Sequence, residues 1–134
     1  MTTLTKIEGV GESYAQKLRK AGILSTEALL ERGASRHGRK EIAEKSGLSE
    51  SMILHWVNIV DLFRIKGVSE EYADLLEAAG VDTVPELGQR NAEHLFQKLQ
   101  AINQEKKLVR RLPTQGQVED WIHQAQNLPR RITH

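Results

Sequence analysis

One stretch of this chain occurs twice, and the duplication constrains the fold more than any other feature of the sequence. Residues 7–23 read IEGVGESYAQKLRKAGI, and residues 65–81 read IKGVSEEYADLLEAAGV. At an offset of 58 residues, 12 of the 29 pairs between residues 7–35 and 65–93 are identical. Self-similarity at a fixed period is typical of a duplicated structural unit. We therefore predict two homologous halves, residues 1–64 and residues 65–134, the second with extra C-terminal helices.

The spacing of apolar residues within each copy predicts helices. In the first copy they follow one another at intervals of four, four and three residues, as one face of a helix requires: Val10, Tyr14, Leu18 and Ala21. Gly22 and Gly80 are expected to end the two equivalent helices in the left-handed conformation. No segment of strand length alternates apolar and polar residues, so the chain is predicted to be all-α.

Capping residues predict further helix boundaries. Ser49 is a suitable N-cap for a helix that runs to about Arg64, which we expect to be the longest and most buried. Thr83–Glu86 and Thr114–Gln117 both have the capping-box pattern that opens a helix. Trp56 and Trp121 lie on apolar stripes late in their respective halves and are predicted to be core residues.

The C-terminal part is predicted to contain one more short helix and a loose end. In residues 106–112, four basic side chains alternate with apolar ones, which predicts a short amphipathic helix with a solvated basic face. Pro129 is expected to end the last helix, and residues 129–134 are expected to be frayed.

Composition excludes several classes of site. The chain has no cysteine, which removes disulfides, thiolate metal ligands and cysteine nucleophiles. No apolar run approaches the ~20 residues of a membrane span and no signal peptide is recognisable, so we expect a cytoplasmic protein. The five histidines show no metal-ligand spacing, and no catalytic triad or Walker loop is present. We expect no enzyme, no cofactor and no metal.

Charge is unevenly distributed, although the net charge is only +1. Residues 1–64 carry ten basic and eight acidic side chains, residues 65–93 carry two and seven, and residues 94–134 carry seven and three. The second copy of the repeat therefore lies in an acidic segment between two mildly basic ones.

Each copy resembles the helix-hairpin-helix motif, in which a short helix, a glycine turn and a second helix follow one another. The residues that carry the resemblance are Ile7, Gly9, Val10, Gly11, Ala15, Leu18, Ala21, Gly22 and Ile23, and then Ile65, Gly67, Val68, Ala73, Leu76, Ala79, Gly80 and Val81. The resemblance implies a tandem, pseudo-symmetric SAM-like fold packed as one compact domain. It also implies that backbone N–H groups of the glycine turn contact a DNA phosphate without reading sequence.

Nearly the whole chain is also similar to a bacterial domain family of unknown function built on degenerate helix-hairpin-helix repeats. The segments that carry this similarity are TLTKIEGVGESYAQKLRKAGI, WVNIVDLFRIKGVSEEYADLLEAAGVDTVPEL and the closing LVRRLP, VEDWI and LPRR. This similarity implies a fold and transfers no activity.

The predicted nucleic-acid contacts lie in and near the first turn: Gly9, Val10, Gly11, Ser13, Lys17, Arg39 and Lys40. The physical basis is that unpaired N–H groups at a helix start attract anions. The second turn, Gly67, Val68 and Ser69, is a weaker candidate, because two carboxylates follow it and Ser69 is a plausible N-cap.

Two functions remain open. The first is non-catalytic, sequence-independent binding of duplex DNA through the first turn, with weak affinity because few phosphates could be neutralised. The second is a protein-protein interaction module that has kept the scaffold, lost the phosphate site and meets its partner through the acidic surface of residues 65–93. No membrane and no small-molecule substrate is expected.

Overall fold

The computed structural model describes residues 2–7 and 9–134, and every regular element within them is helical. A short 3₁₀ helix, Leu4–Lys6, precedes the α-helices α1 (Glu12–Lys20), α2 (Thr26–Gly33), α3 (Arg36–Ser46), α4 (Glu50–Leu62), α5 (Glu70–Ala78), α6 (Val84–Gly88), α7 (Ala92–Lys106) and α8 (Gln115–Gln126). The all-α prediction is confirmed for these residues. None of these helices has the length and apolarity that crossing a membrane demands.

The chain divides into two units. Unit 1 comprises residues 1–61 together with residues 131–134, and unit 2 comprises residues 62–130. In unit 1, α3 packs against both α1 and α2. In unit 2, α8 packs against α6 and α7, and α5 packs against α7. Aliphatic side chains form most of the buried core of each unit.

Equivalent residues of the two copies have the same local conformation. Gly9 and Gly67 have φ angles of +87° and +96°, and Gly22 and Gly80 have φ angles of +85° and +88°. Both helices that follow the glycine turns end in the same hydrogen-bond pattern. The Ile23 and Val81 N–H groups donate to the carbonyls five residues earlier, at 3.0 and 2.9 Å. This is the Schellman arrangement expected where a glycine follows a helix.

Each unit has one buried tryptophan in contact with its tyrosine. The Tyr14 and Trp56 ring centroids are 5.4 Å apart, and those of Tyr72 and Trp121 are 5.3 Å apart, with interplanar angles of 53° and 52°. Tilted pairs at this separation are favourable beyond the area they bury. Trp56 and Trp121 are both buried, which confirms their prediction as core residues.

The capping predictions are confirmed except at one helix. Ser49 accepts a hydrogen bond from the Met52 N–H at 3.2 Å, and Thr114 forms a complete capping box with Gln117. Thr83 makes no side-chain cap hydrogen bond, so the capping box predicted at Thr83–Glu86 is wrong. There the Glu86 carboxylate instead accepts from the N–H of Asp82, one residue before the N-cap, at 3.2 Å.

The segment after α7 is not the short helix predicted for residues 106–112. Helix α7 continues to Lys106, which makes it the longest helix at 15 residues, against 13 for α4. It then ends because Lys107 takes a left-handed conformation with φ +53°. The Asn103 side chain accepts from the Val109 N–H at 2.9 Å and donates to the Val109 carbonyl at 3.1 Å, which replaces the helical pairing of Val109.

The end of the chain is not frayed, which corrects a second prediction. Ile132 is buried in unit 1, and the Thr133 N–H donates to the Ala34 carbonyl at 2.8 Å. Residues 131–134 therefore complete unit 1 by covering the junction between α2 and α3.

Candidate functional site

The first glycine turn joins the 3₁₀ helix to α1. The Val10 N–H donates to the Ile7 carbonyl at 3.0 Å, and the Val10 side chain is 3% exposed, so it anchors the turn in the core of unit 1. Gly9 needs its positive φ of +87°, a conformation that glycine adopts without steric cost. Both glycines of the turn are exposed at the surface.

Gly11 differs from Gly9 because the fold does not require a glycine there. Its φ of −83° and ψ of −177° describe ordinary extended backbone, and a Cβ built on it would meet no atom within 4 Å. Gly11 is the N-cap of α1, yet no side chain among the described residues caps this helix. The first turn of α1 therefore offers backbone N–H groups to an open surface.

Two of the predicted side chains flank this opening on α1. Ser13 and Lys17 are exposed and lie four residues apart, which places them on one side of the helix. The Lys17 ammonium is 5.8 Å from the centre of the Tyr14 ring, a cation-π contact that holds the side chain against the helix. Glu12, which would repel an anion, forms an ion pair with Arg19 at 2.7 Å.

Arg39 and Lys40 lie on α3, and the structure gives them different roles. Lys40 is exposed. Arg39 is only 4% exposed, and its guanidinium donates to three carbonyls, those of Gly33 at 2.9 Å, Ala34 at 3.1 Å and Thr133 at 2.7 Å. Burial is the main cause that lowers the pKa of the Arg39 guanidinium. We assign Arg39 to the structure of unit 1 and leave it out of the candidate surface.

The second glycine turn is occupied by groups of its own unit. A Cβ on Gly67 would lie 3.1 Å from the Trp121 indole nitrogen. The Gln124 side chain accepts from the Lys66 N–H at 2.8 Å and donates to the Lys66 carbonyl at 3.1 Å, so α8 binds the backbone of this turn. Val68 is buried, as Val10 is in the first turn.

The helix start after the second turn is also closed. Ser69, at the position equivalent to Gly11, accepts a hydrogen bond from the Tyr72 N–H at 3.4 Å and caps α5. Glu70 and Glu71 follow in the first turn of α5. A serine cap and two carboxylates take the place that a phosphate would need. The two copies therefore share a backbone conformation and differ in what their turns leave open.

The family model for a domain of unknown function, DUF4332, matches residues 8–128. The chain belongs to the DUF4332 family. No curated protein and no solved structure matches it. Membership confirms the predicted resemblance to a domain family of unknown function.

Within this DUF4332 chain, both glycine turns lie inside the matched residues, whereas residues 131–134 lie outside them. The hydrogen bond from Arg39 to Thr133 therefore joins a matched helix to a segment beyond the match. Gln124 and Trp121 are the residues that sequence reasoning missed at the second turn. Their contacts span more than 50 residues, and no local pattern signals them.

Proposed function

We propose that this chain is a non-catalytic, sequence-independent nucleic-acid-binding domain built on two helix-hairpin-helix units, and that the first glycine turn is its phosphate contact. The observation that carries the proposal is Gly11. Its backbone conformation suits any residue, its surroundings are open, and a serine or aspartate there would cap α1 more strongly. Glycine at this position keeps the first N–H groups of α1 accessible to a ligand from outside.

The chemistry of such a contact follows from the backbone. N–H groups at a helix start point out of the helix and carry the positive end of its dipole, so they suit a phosphate oxygen. The absence of a Cβ on Gly9 and Gly11 lets the sugar-phosphate backbone approach closely. Val10 holds the turn by its buried side chain, so the donors are positioned before binding.

Side-chain charge around the turn supports the same ligand at modest strength. Lys17 lies on α1 behind the turn, and its contact with Tyr14 restricts where the ammonium can go. The pairing of Glu12 with Arg19 offsets the carboxylate at the helix start. Few cations take part, so the affinity should be weak and should depend only shallowly on salt.

The test compares two substitutions at equivalent positions. Gly11→Asp adds a carboxylate that caps α1 and occupies its N–H groups, without strain because Gly11 is in extended backbone. Ser69→Asp adds the same charge to the second turn and keeps a good cap. Binding of a fluorescently labelled 20-base-pair duplex would be measured by anisotropy at several salt concentrations, with unfolding curves recorded for each variant.

We expect Gly11→Asp to raise the Kd about tenfold or more, since hydrogen bonds to a charged group contribute about 1.5–3 kcal/mol. Ser69→Asp should leave the Kd within about twofold of wild type, because the second turn is already closed. Equal effects of the two substitutions, or wild-type binding by Gly11→Asp, would contradict the proposal.

A protein-protein interaction module is the second candidate. The observation that favours it is that Gln124 and Trp121 close the second turn, so this turn has no role in phosphate binding. Glu71, close to the turn in sequence, is exposed, and residues 65–93 could therefore offer an acidic surface to a protein partner. Two results together would favour this alternative. The chain would not bind the duplex at low salt, and it would bind a basic peptide with an affinity that is lost in Glu71→Gln.

A further inference from the structure

The two units differ most in the connection before their last helix. Three residues, 47–49, join α3 to α4 in unit 1, whereas eight residues, 107–114, join α7 to α8 in unit 2. We name residues 106–112, which are the last residue of α7 and most of this connection, the basic loop, because four of them are basic: Lys106, Lys107, Arg110 and Arg111. The longer connection in unit 2 thus carries a concentrated positive charge.

The basic loop has a fixed backbone. The Asn103 side chain pairs with both the N–H and the carbonyl of Val109. The Tyr72 hydroxyl donates to the Arg111 carbonyl at 2.9 Å. Val109 and Pro113 are buried and anchor the segment to unit 2. A backbone held at these points fixes where each side chain begins, which lowers the backbone entropy lost when a ligand binds.

The four cationic side chains of the basic loop lie at the surface of unit 2. All four are exposed, and none forms an ion pair with a carboxylate of residues 2–7 or 9–134. Other arginines of unit 2, in contrast, donate hydrogen bonds to backbone carbonyls. Arg64 donates to the Pro129 carbonyl at 2.7 Å, and Arg90 donates to the Gly80 carbonyl at 3.0 Å. No aspartate or glutamate occurs between Glu105 and Glu119 to neutralise the loop.

The ligand that this surface fits is a phosphate backbone. Residues 107–111 can extend over at most about 14 Å, which is enough for their cations to meet two or more phosphates of one strand. Two arginines can each bind a phosphate in a bidentate manner. Interfaces between proteins commonly centre on a few aromatic, arginine or aliphatic side chains in a desolvated pocket. The exposed large apolar side chain of the described residues is Leu24, 62% exposed and located in unit 1.

We propose that the basic loop is a second nucleic-acid contact, in unit 2 and independent of the glycine turn. The ligand is of the same class as the one proposed for the first glycine turn, a nucleic acid, but different residues bind it. Because the contact is made by side-chain charge rather than by backbone N–H groups, it should account for a separate part of the salt dependence of binding.

The experiment uses the full chain and a pair of variants with matched charge. The loop variant carries K106Q, K107N, R110Q and R111Q, with asparagine at 107 because it tolerates positive φ. The control variant removes two exposed lysines and two exposed arginines elsewhere: K45Q, K98Q, R130Q and R131Q. Both variants are titrated with the labelled 20-base-pair duplex across salt concentrations, alongside Gly11→Asp and wild type.

We expect the loop variant to bind at least about tenfold more weakly than the control variant at low salt. The slope of log Kd against log salt should fall by about one for each phosphate that the loop variant no longer neutralises. If the loop variant matches the control variant in both Kd and slope, the role of the loop is overturned, while Gly11→Asp still decides the glycine turn separately. If wild type does not bind the duplex, both proposed phosphate sites are overturned.

A polyglutamate peptide distinguishes nucleic acid from an acidic protein. Wild type should bind this peptide more weakly than a duplex of similar charge, because carboxylates spaced along a flexible chain do not match the fixed loop. Equal affinity for the peptide and the duplex, with the same dependence on the loop residues, would overturn the assignment to nucleic acid.

Discussion

Arg39 donates a hydrogen bond from Nη2 to the carbonyl oxygen of Thr133 at 2.7 Å, across 94 residues of sequence. Its Nη1 donates to the Gly33 and Ala34 carbonyls at 2.9 and 3.1 Å. The guanidinium thus ties the end of α2 to residues 131–134. A buried guanidinium is stable only when its donors are satisfied, so these three carbonyls explain why a charge can lie inside unit 1.

Replacing Arg39 should destabilise unit 1. Arg39→Met keeps much of the side-chain volume and removes the charge-assisted bonds to three carbonyls, so we expect a loss of about 2–3 kcal/mol. Urea unfolding followed by tryptophan fluorescence would measure it. In a Trp121→Phe background, Trp56 alone reports on unit 1. Arg36→Met, an exposed neighbour on α3, is the control and should change little.

Removing residues 132–134 should have a related effect. The truncation exposes the surface that Ile132 covers and deletes the Thr133 carbonyl that Arg39 binds. Burial of one isoleucine contributes about 1.5–3 kcal/mol, so the unfolding midpoint of unit 1 should fall clearly. In a Trp56→Phe background, the Trp121 signal of unit 2 should shift much less. Equal shifts of the two signals would show that this segment is not specific to unit 1.

These long-range hydrogen bonds mark the limit of prediction from the sequence. The helix boundaries at Gly22, Gly80 and Thr114, two C-terminal and one N-terminal, could be predicted because caps and the 3.6-residue period act within a few neighbouring residues. The basic residues after α7 also had a helical pattern, but the Asn103 side chain competes for the Val109 backbone and stops the helix. No local pattern shows that competition.

The candidate site was predictable to a similar degree. The turn at Gly9 and the anchor Val10 follow from the motif, and their conformations agree with it. The openness around Gly11 and the closure around Gly67 depend on which distant side chains arrive there, such as Trp121. The sequence predicts Arg39 as a nucleic-acid contact, and its partner 94 residues away reveals a structural role instead.

The two glycines of the first turn should respond differently to alanine. Gly9→Ala places a Cβ on a residue with φ +87°, which costs about 1–2 kcal/mol. Gly11→Ala places it on extended backbone with no atom within 4 Å, so only the poorer N-cap preference of alanine opposes it, and the loss should be smaller, about 0.5 kcal/mol. Thermal unfolding of both variants measures the difference. A larger loss of stability for Gly11→Ala would mean that Gly11 has a role in the fold.

Glu27 should make unit 1 sensitive to acid. The Thr2 N–H donates to both carboxylate oxygens, at 3.1 and 3.0 Å, and this backbone hydrogen bond is the main cause that lowers the pKa of Glu27 from 4.5 to about 2. A lowered folded-state pKa stabilises the protein above pH 4.5, and that stabilisation is lost as the pH falls towards 2. Because Glu27 is exposed, solvent screening limits its contribution to about 1 kcal/mol or less.

Glu27→Gln tests this dependence. The variant should be less stable than wild type at pH 7, and the difference should shrink as the pH falls from about 4.5 to about 2. Urea midpoints of the Trp56 signal across this range would measure it. Glu31→Gln, an exposed glutamate on the same helix, serves as the control. A difference between wild type and Glu27→Gln that stays constant with pH would contradict the assignment.

Tyr72 and Tyr14 allow a matched test of how the basic loop is held. Both tyrosines contact the tryptophan of their own unit, but only the Tyr72 hydroxyl has a hydrogen-bond partner among the described residues, the Arg111 carbonyl. Tyr72→Phe should therefore destabilise unit 2 by about 0.5–1.5 kcal/mol, whereas Tyr14→Phe should be nearly neutral.

The basic loop should also loosen in Tyr72→Phe, so trypsin should cleave after Arg110 or Arg111 faster in Tyr72→Phe than in Tyr14→Phe. Cleavage at the same rate in both variants would mean that Asn103 and the buried Val109 hold the loop without help from Tyr72.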